Sequence, residues 1–168
     1  MKLIKPEEIR DNIFSAINDE WMLVTAVNSK GEVNTMTASW GGFGIMWNKP
    51  VCVCVIRPQR YTSEFVKDSE RISLSFLFEG NKEALKICGT KSGRDCDKIK
   101  EAGLKVIAED DVAYFDKSRL VIVGKKIYVS SFKEENFLDK SIIDSKYPSR
   151  DYHDVYVCEI EKVLVSEA

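Results

Sequence analysis

Histidine is almost missing from this chain: His153 is the only one among 168 residues. None of the five cysteines (Cys52, Cys54, Cys88, Cys96, Cys158) forms a C-x-x-C pair. Without spaced thiolates or imidazoles a structural zinc site is not expected, and no metal is assigned. An odd set of cysteines behind an N-terminus with no leader reads as reduced thiols. A basic excess is also missing. Twenty-five Lys and Arg face 27 Asp and Glu, for a formal charge of −2, so there is no footprint for a nucleic-acid backbone. Met1 to Arg10 lacks the apolar stretch of a signal peptide, and polar residues break every other apolar run short of a bilayer's thickness. A cytoplasmic protein with no membrane segment is the expectation.

Several catalytic signatures are absent too. No G-x-x-x-x-G-K-[ST] loop exists, and Gly89 to Arg94 has the wrong spacing for one. No G-x-G-x-x-G follows a strand; Gly41-Gly42-Phe43-Gly44 reads as a turn. A Ser-His-Asp or Cys-His site would have to use His153, and no nucleophile elbow accompanies it.

What is present describes an ordinary globular chain, 44% hydrophobic and 31% charged, long enough to bury a sizeable core. No repeat, low-complexity tract or Pro/Gly-rich linker divides it, so residues 1–168 are read as one domain. Pro6, the acidic pair Glu7-Glu8 and the stripe Ile9, Ile13, Ile17 predict a helix over 6–18. Strands follow at Trp21–Val27 and Val33–Trp40, joined by turn residues Asn28 to Gly31. Val51–Ile56 (VCVCVI) is a continuous β-branched run, read as a strand covered on both faces. Ile72, Leu74, Phe76 and Phe78 alternate on another. Thr62 or Ser63 caps a short helix ending near Asp68, and two more are predicted at Lys82–Ile87 and Asp95–Ala102. Strands at Leu104–Ala108, Val112–Phe115, Leu120–Phe132 and Val155–Val165 complete the pattern, with a helical or irregular insert near Glu134–Asp144. Many strands and few short helices fit a mainly β antiparallel barrel, with a sandwich as the alternative.

Three segments carry candidate chemistry. Asn34 to Trp40 (NTMTASW) sets Thr35, Thr37 and Ser39 on one strand face, a small hydroxyl-rich edge suited to a planar heterocycle; an exposed polar face with Trp40 in the core fits the same residues. Arg57 to Ser63 (RPQRYTS) leads from a strand into a helix start, where free N–H groups and cations suit a phosphomonoester or simply a capped, solvated turn. Cys88 to Lys98 (CGTKSGRDCDK) is a donor-rich loop that covers a ligand or forms a surface turn.

In this order, and with DYHDVYVCEIEKV (Asp151 to Val163) as a late strand, these stretches resemble the flavin reductase-like, FMN-binding split-barrel family, in its flavoredoxin-like branch. The resemblance implies a split β-barrel, Greek-key-like, with short peripheral helices, a homodimer with FMN near the interface, and a redox partner protein. It implies FMN with NAD(P)H as co-substrate: hydride passes from NAD(P)H to FMN and electrons go on to an acceptor. A non-catalytic electron carrier of the flavoredoxin type is the alternative, and a barrel holding haem or a deazaflavin is a third. By position, Met36, Thr37, Ala38, Ser39 and Trp40 would flank the flavin ring and ribityl chain. Arg57, Gln59, Arg60, Tyr61 and Thr62 would hold the phosphate. Lys91, Ser92 and Gly93 would approach from the loop, and His153 would lie at the flavin edge as the candidate catalytic residue.

Overall fold

The computed structural model describes residues 1–167. Ten strands dominate it: β1 (Lys2–Ile4), β2 (Met22–Val27), β3 (Val33–Ala38), β4 (Gly41–Met46), β5 (Lys49–Ile56), β6 (Arg71–Leu77), β7 (Val106–Glu109), β8 (Val112–Phe115), β9 (Ser118–Ser131) and β10 (Asp154–Val165). The helices α1 (Ile13–Ser15), α2 (Tyr61–Asp68), α3 (Lys82–Thr90), α4 (Lys98–Glu101) and α5 (Ser141–Lys146) are short. The main sheet runs β3-β2-β6-β9-β10-β5-β4, with β1 added to β10, and β7-β8 form a separate hairpin. Every pairing is antiparallel.

The sheet is curled on itself. Met36 and Ala38 from one end of the strand order share a core with Cys52, Cys54 and Ile56 from the other, closed over by Ile72, Leu74, Phe76 and Ile122. This is the split β-barrel with peripheral helices. VCVCVI behaves as its composition predicts: Val51, Cys52, Cys54, Val55 and Ile56 are all buried, and the strand pairs with β10 on one side and β4 on the other.

Five expectations are corrected. The 6–18 helix is broken into a 3-10 turn at Pro6–Glu8, α1, and a π turn at Ala16–Glu20. Ile9 is extended, and the Asn12 side chain accepts from the Phe14 and Ser15 amides, restarting the helix there. The isoleucine stripe still packs on the core. Gly41-Gly42-Phe43-Gly44 is not a turn but the start of β4; the hairpin turn falls at Trp47-Asn48, both at positive φ. Neither Thr62 nor Ser63 caps α2: Arg60 holds that position, and both hydroxyl residues are buried in the first turn. Asp97, not Asp95, caps α4 through the Lys100 amide. Phe78 leaves the core face because the register shifts between Phe76 and Leu77. Elsewhere the elements sit within a few residues of their predicted places; β1, short and largely exposed, had no sequence signal.

Candidate functional site

The end of β3, the β5–α2 junction, the start of β10 and the α3–α4 loop converge on two adjoining cavities. One, about 170 Å³, is lined by Met36, Thr37, Ala38, Ser39, Trp40, Val55, Arg57, Arg60 and His153. The other, about 500 Å³, is lined by Arg57, Gln59, Arg60, Tyr61, Thr62, Thr90, Lys91, Ser92, Arg94, Asp95 and Lys98. Arg57 and Arg60 belong to both, so the two form one continuous groove. Of the residues singled out in the sequence, only Gly93 lies outside it. It lines a neighbouring recess with Tyr61 and Arg94, and a Cβ there would meet Asn34 Oδ1 at 2.6 Å.

The hydroxyl-rich strand face turns away from the barrel core, which holds Met36 and Ala38, and is mostly spent on protein partners. Thr35 Oγ1 bonds Thr25 Oγ1 at 2.9 Å and donates to the Val24 carbonyl, and Thr37 Oγ1 donates to the Leu85 carbonyl. Of the three hydroxyls on this face, only that of Ser39 has no partner among the described residues. The corner after it depends on Gly41, whose φ is +151° and where a Cβ would stand 2.3 Å from the Val53 carbonyl oxygen. That close approach places Trp40 at the rim, its ring 5.1 Å from His153.

The second cavity is cationic: Arg57, Arg60, Lys91, Arg94 and Lys98 line it against one carboxylate, Asp95. Arg57 is bound to Asp151 and donates to the Lys146 carbonyl at 2.8 Å. Gln59 reaches the same Asp151 oxygen. Lys91 pairs with Glu101 and Arg94 with Glu64. Arg60 and Lys98 have no carboxylate partner among the described residues. Arg60 donates to the Gly89 carbonyl at 2.7 Å, and Lys98, 3% exposed, donates to the carbonyls of Cys88 and Lys91 at 3.3 and 3.2 Å. Burial lowers the pKa of both; Arg57 depresses Arg60 further, and Arg60 does the same to Lys98. Like charges held this close, without a counterion, are the electrostatic form of an anion site. The N-terminus of α2 opens here with no side chain capping it.

The family profile described as "Flavin reductase like domain" matches residues 14–168. The chain belongs to the flavin reductase-like domain family. Solved structures agree on the fold. An FMN-binding protein from Thermus thermophilus with bound p-hydroxybenzaldehyde is 20% identical, with TM-score 0.70 over 100% of this chain and 83% of that one. A flavoredoxin from Methanosarcina acetivorans is 20% identical, with TM-score 0.69 over 99% and 77%. The styrene monooxygenase flavin reductase from Pseudomonas putida S12 is 13% identical, with TM-score 0.65 over 89% and 80%. Comparison with curated protein sequences returns no match.

In this flavin reductase-like domain His153 is buried, and its Nδ1 lies 2.8 Å from the Tyr147 hydroxyl. Burial, then the nearby Arg57 charge, push its pKa down from 6.5 to about 4. A histidine depressed on folding contributes stability that is complete above its unfolded pKa and disappears as pH falls from 6.5 toward 4. The melting temperature should therefore drop through that window, and His153→Gln should flatten the drop. Identical profiles for the two proteins would refute it.

Lys98, Arg94, Tyr147 and Asp151 were not singled out in the sequence as site residues. Lys98 reads there as one of several loop cations, because the Asp97 cap that starts α4 at this residue was not read from the sequence. Among the described residues no cluster is suited to a metal ion, and no helix is long and apolar enough to cross a membrane.

Proposed function

We propose that this domain binds FMN along the joined groove and works as an oxidoreductase, with NAD(P)H as hydride donor. The observation that carries the proposal is the pair Arg60 and Lys98: two cations without carboxylate partners among the described residues, beside the open end of α2 and joined directly to a cavity walled by Met36–Trp40 and His153. These residues fit a phosphate at one end and a planar, acceptor-rich ring at the other. Arg60, Lys98 and the first turn of α2 would hold the phosphate, with Arg57, Gln59, Tyr61 and Thr62 shaping its pocket. Lys91 and Ser92 close that end, and Gly93 lets their loop pack against Asn34. Met36 and Ala38 supply apolar contact, Ser39 a free hydroxyl, and Trp40 with His153 the rim. Bound FMN would accept a hydride and release electrons onward, so the protein need supply no strong acid or base.

Steady-state oxidation of NADH and NADPH by the FMN-loaded protein tests this, with turnover expected for at least one nucleotide and free flavin as acceptor. Tight FMN binding without turnover would favour the second reading, an electron carrier served by a redox partner protein.

A homodimer is also proposed. Ile45, Met46, Trp47, Tyr128 and Val129 are 68, 43, 59, 50 and 59% exposed, beside the unpaired edge of β4, and Trp47 and Tyr128 lie in ring contact. So much apolar surface suits a second copy of the chain. Sedimentation should show a dimer, and Ile45→Glu with Val129→Glu a monomer; a monomeric wild type at micromolar concentration would end this proposal.

A further inference from the structure

The two nitrogens of the only imidazole face different surroundings. Nδ1 meets the hydroxyl of Tyr147, a residue 2% exposed, while Nε2 has no partner among the described residues and is not sealed from solvent. The ring lines the smaller cavity beside Trp40. Among the described residues the Tyr147 hydroxyl makes this one hydrogen bond only. Were the imidazole proton on Nδ1, Tyr147 would accept it, and the phenol's own hydrogen would be left buried without an acceptor. With the proton on Nε2, Tyr147 donates to Nδ1 and every buried polar hydrogen in the pair is satisfied.

We propose that Tyr147 is a positioning residue that fixes His153 as the Nε2–H tautomer, giving the cavity one neutral, directional donor suited to a carbonyl oxygen or an unprotonated ring nitrogen rather than to an anion. Burial supports it by keeping both groups uncharged, raising the phenol and lowering the imidazole to about 4. The pair is braced from two sides. The Arg57 guanidinium lies 5.2 Å over the Tyr147 ring and donates to the preceding carbonyl, while Asp151, two residues before His153, is held by Arg57 and Gln59. What meets the donor rests on the FMN reading; the tautomer does not.

Because the chain has one histidine, ¹⁵N-histidine labelling gives one pair of ring resonances. In the ligand-free wild type near neutral pH, Nε2 should be protonated and Nδ1 bare. Tyr147→Phe keeps the aromatic packing against Phe137 and Tyr152 but removes the donor, so the Nδ1–H form, undetectable in the wild type, should become populated. A wild-type proton on Nδ1 overturns the proposal, and that spectrum decides even if the variant fails to fold. A folded variant with an unchanged spectrum overturns it as well. Adding FMN should then shift the wild-type Nε2 resonance. Bound FMN that leaves it unmoved refutes the donor's role. FMN that does not bind at all refutes the functional reading and leaves the tautomer to be judged by the first two spectra.

Discussion

Arg60→Ala combined with Lys98→Met is expected to weaken FMN binding on the order of 100-fold or more, while riboflavin affinity changes by less than about threefold. Each cation lost is worth roughly 1.5–3 kcal/mol against a charged acceptor, and only FMN carries the phosphate. The structure determines the choice of pair. Thr62 looks like a phosphate contact in the sequence, yet its hydroxyl accepts from Asn34 Nδ2 at 3.1 Å and the residue is 1% exposed, so removing it disturbs packing first. Arg57 is tied to Asp151, and its loss would leave a partly buried carboxylate without its cation. Arg60 and Lys98 have no such partner to strand among the described residues. Lys98 also holds two carbonyls at the end of α3, so Lys98→Met should be made alone as well and its melting point measured. Equal losses for FMN and riboflavin, measured by fluorescence titration, would contradict the phosphate assignment.

Gly41→Ala should be among the most damaging single changes in the chain. The added methyl would stand 2.3 Å from a backbone oxygen of β5, which no rotamer change can move, at a φ of +151° that side chains rarely adopt. We expect a loss of about 3 kcal/mol, or roughly 6–12 °C in melting temperature. Ligand affinity should fall with it, because β4 must move away from β5 and Trp40 shifts with its start. Gly42→Ala is the control: nothing lies within 4 Å of its Cβ position, and little change is expected. Equal stability for the two variants would show that the corner is softer than this geometry requires.

Much of the barrel was legible in the sequence because its strands advertise themselves. VCVCVI is apolar throughout since both of its faces and both of its edges are covered, and Val112–Phe115 falls where its pattern places it. The failures have two causes. The Asn12 and Asp97 caps that set the true helix starts are local and were not read, whereas nothing local distinguishes a glycine-rich turn from a strand whose first glycine is needed to pass under Val53. The groove residues were largely visible because the resemblance lies in their order along the chain. What each side chain does was not. Thr37 turns its hydroxyl toward Leu85, Lys98 turns inward rather than outward, and Tyr147 reaches His153 from a stretch just beyond the Glu134–Asp144 insert that was assigned no element.

The strand order has a bearing on how the molecule reaches its shape. β10 stands between β9 and β5, joining the β3-β2-β6-β9 half to the β5-β4 half, although it is the last strand in sequence. Its partner β5 ends at Ile56, and Asp154 meets that residue directly. Nearly a hundred residues must be looped out to make this contact, the kind of long-range closure that slows folding. Until it forms, Arg57 and His153 belong to separate halves. A nascent or partly unfolded chain therefore has no groove to offer, and recovery of ligand binding during refolding should follow the slowest phase rather than the appearance of β structure.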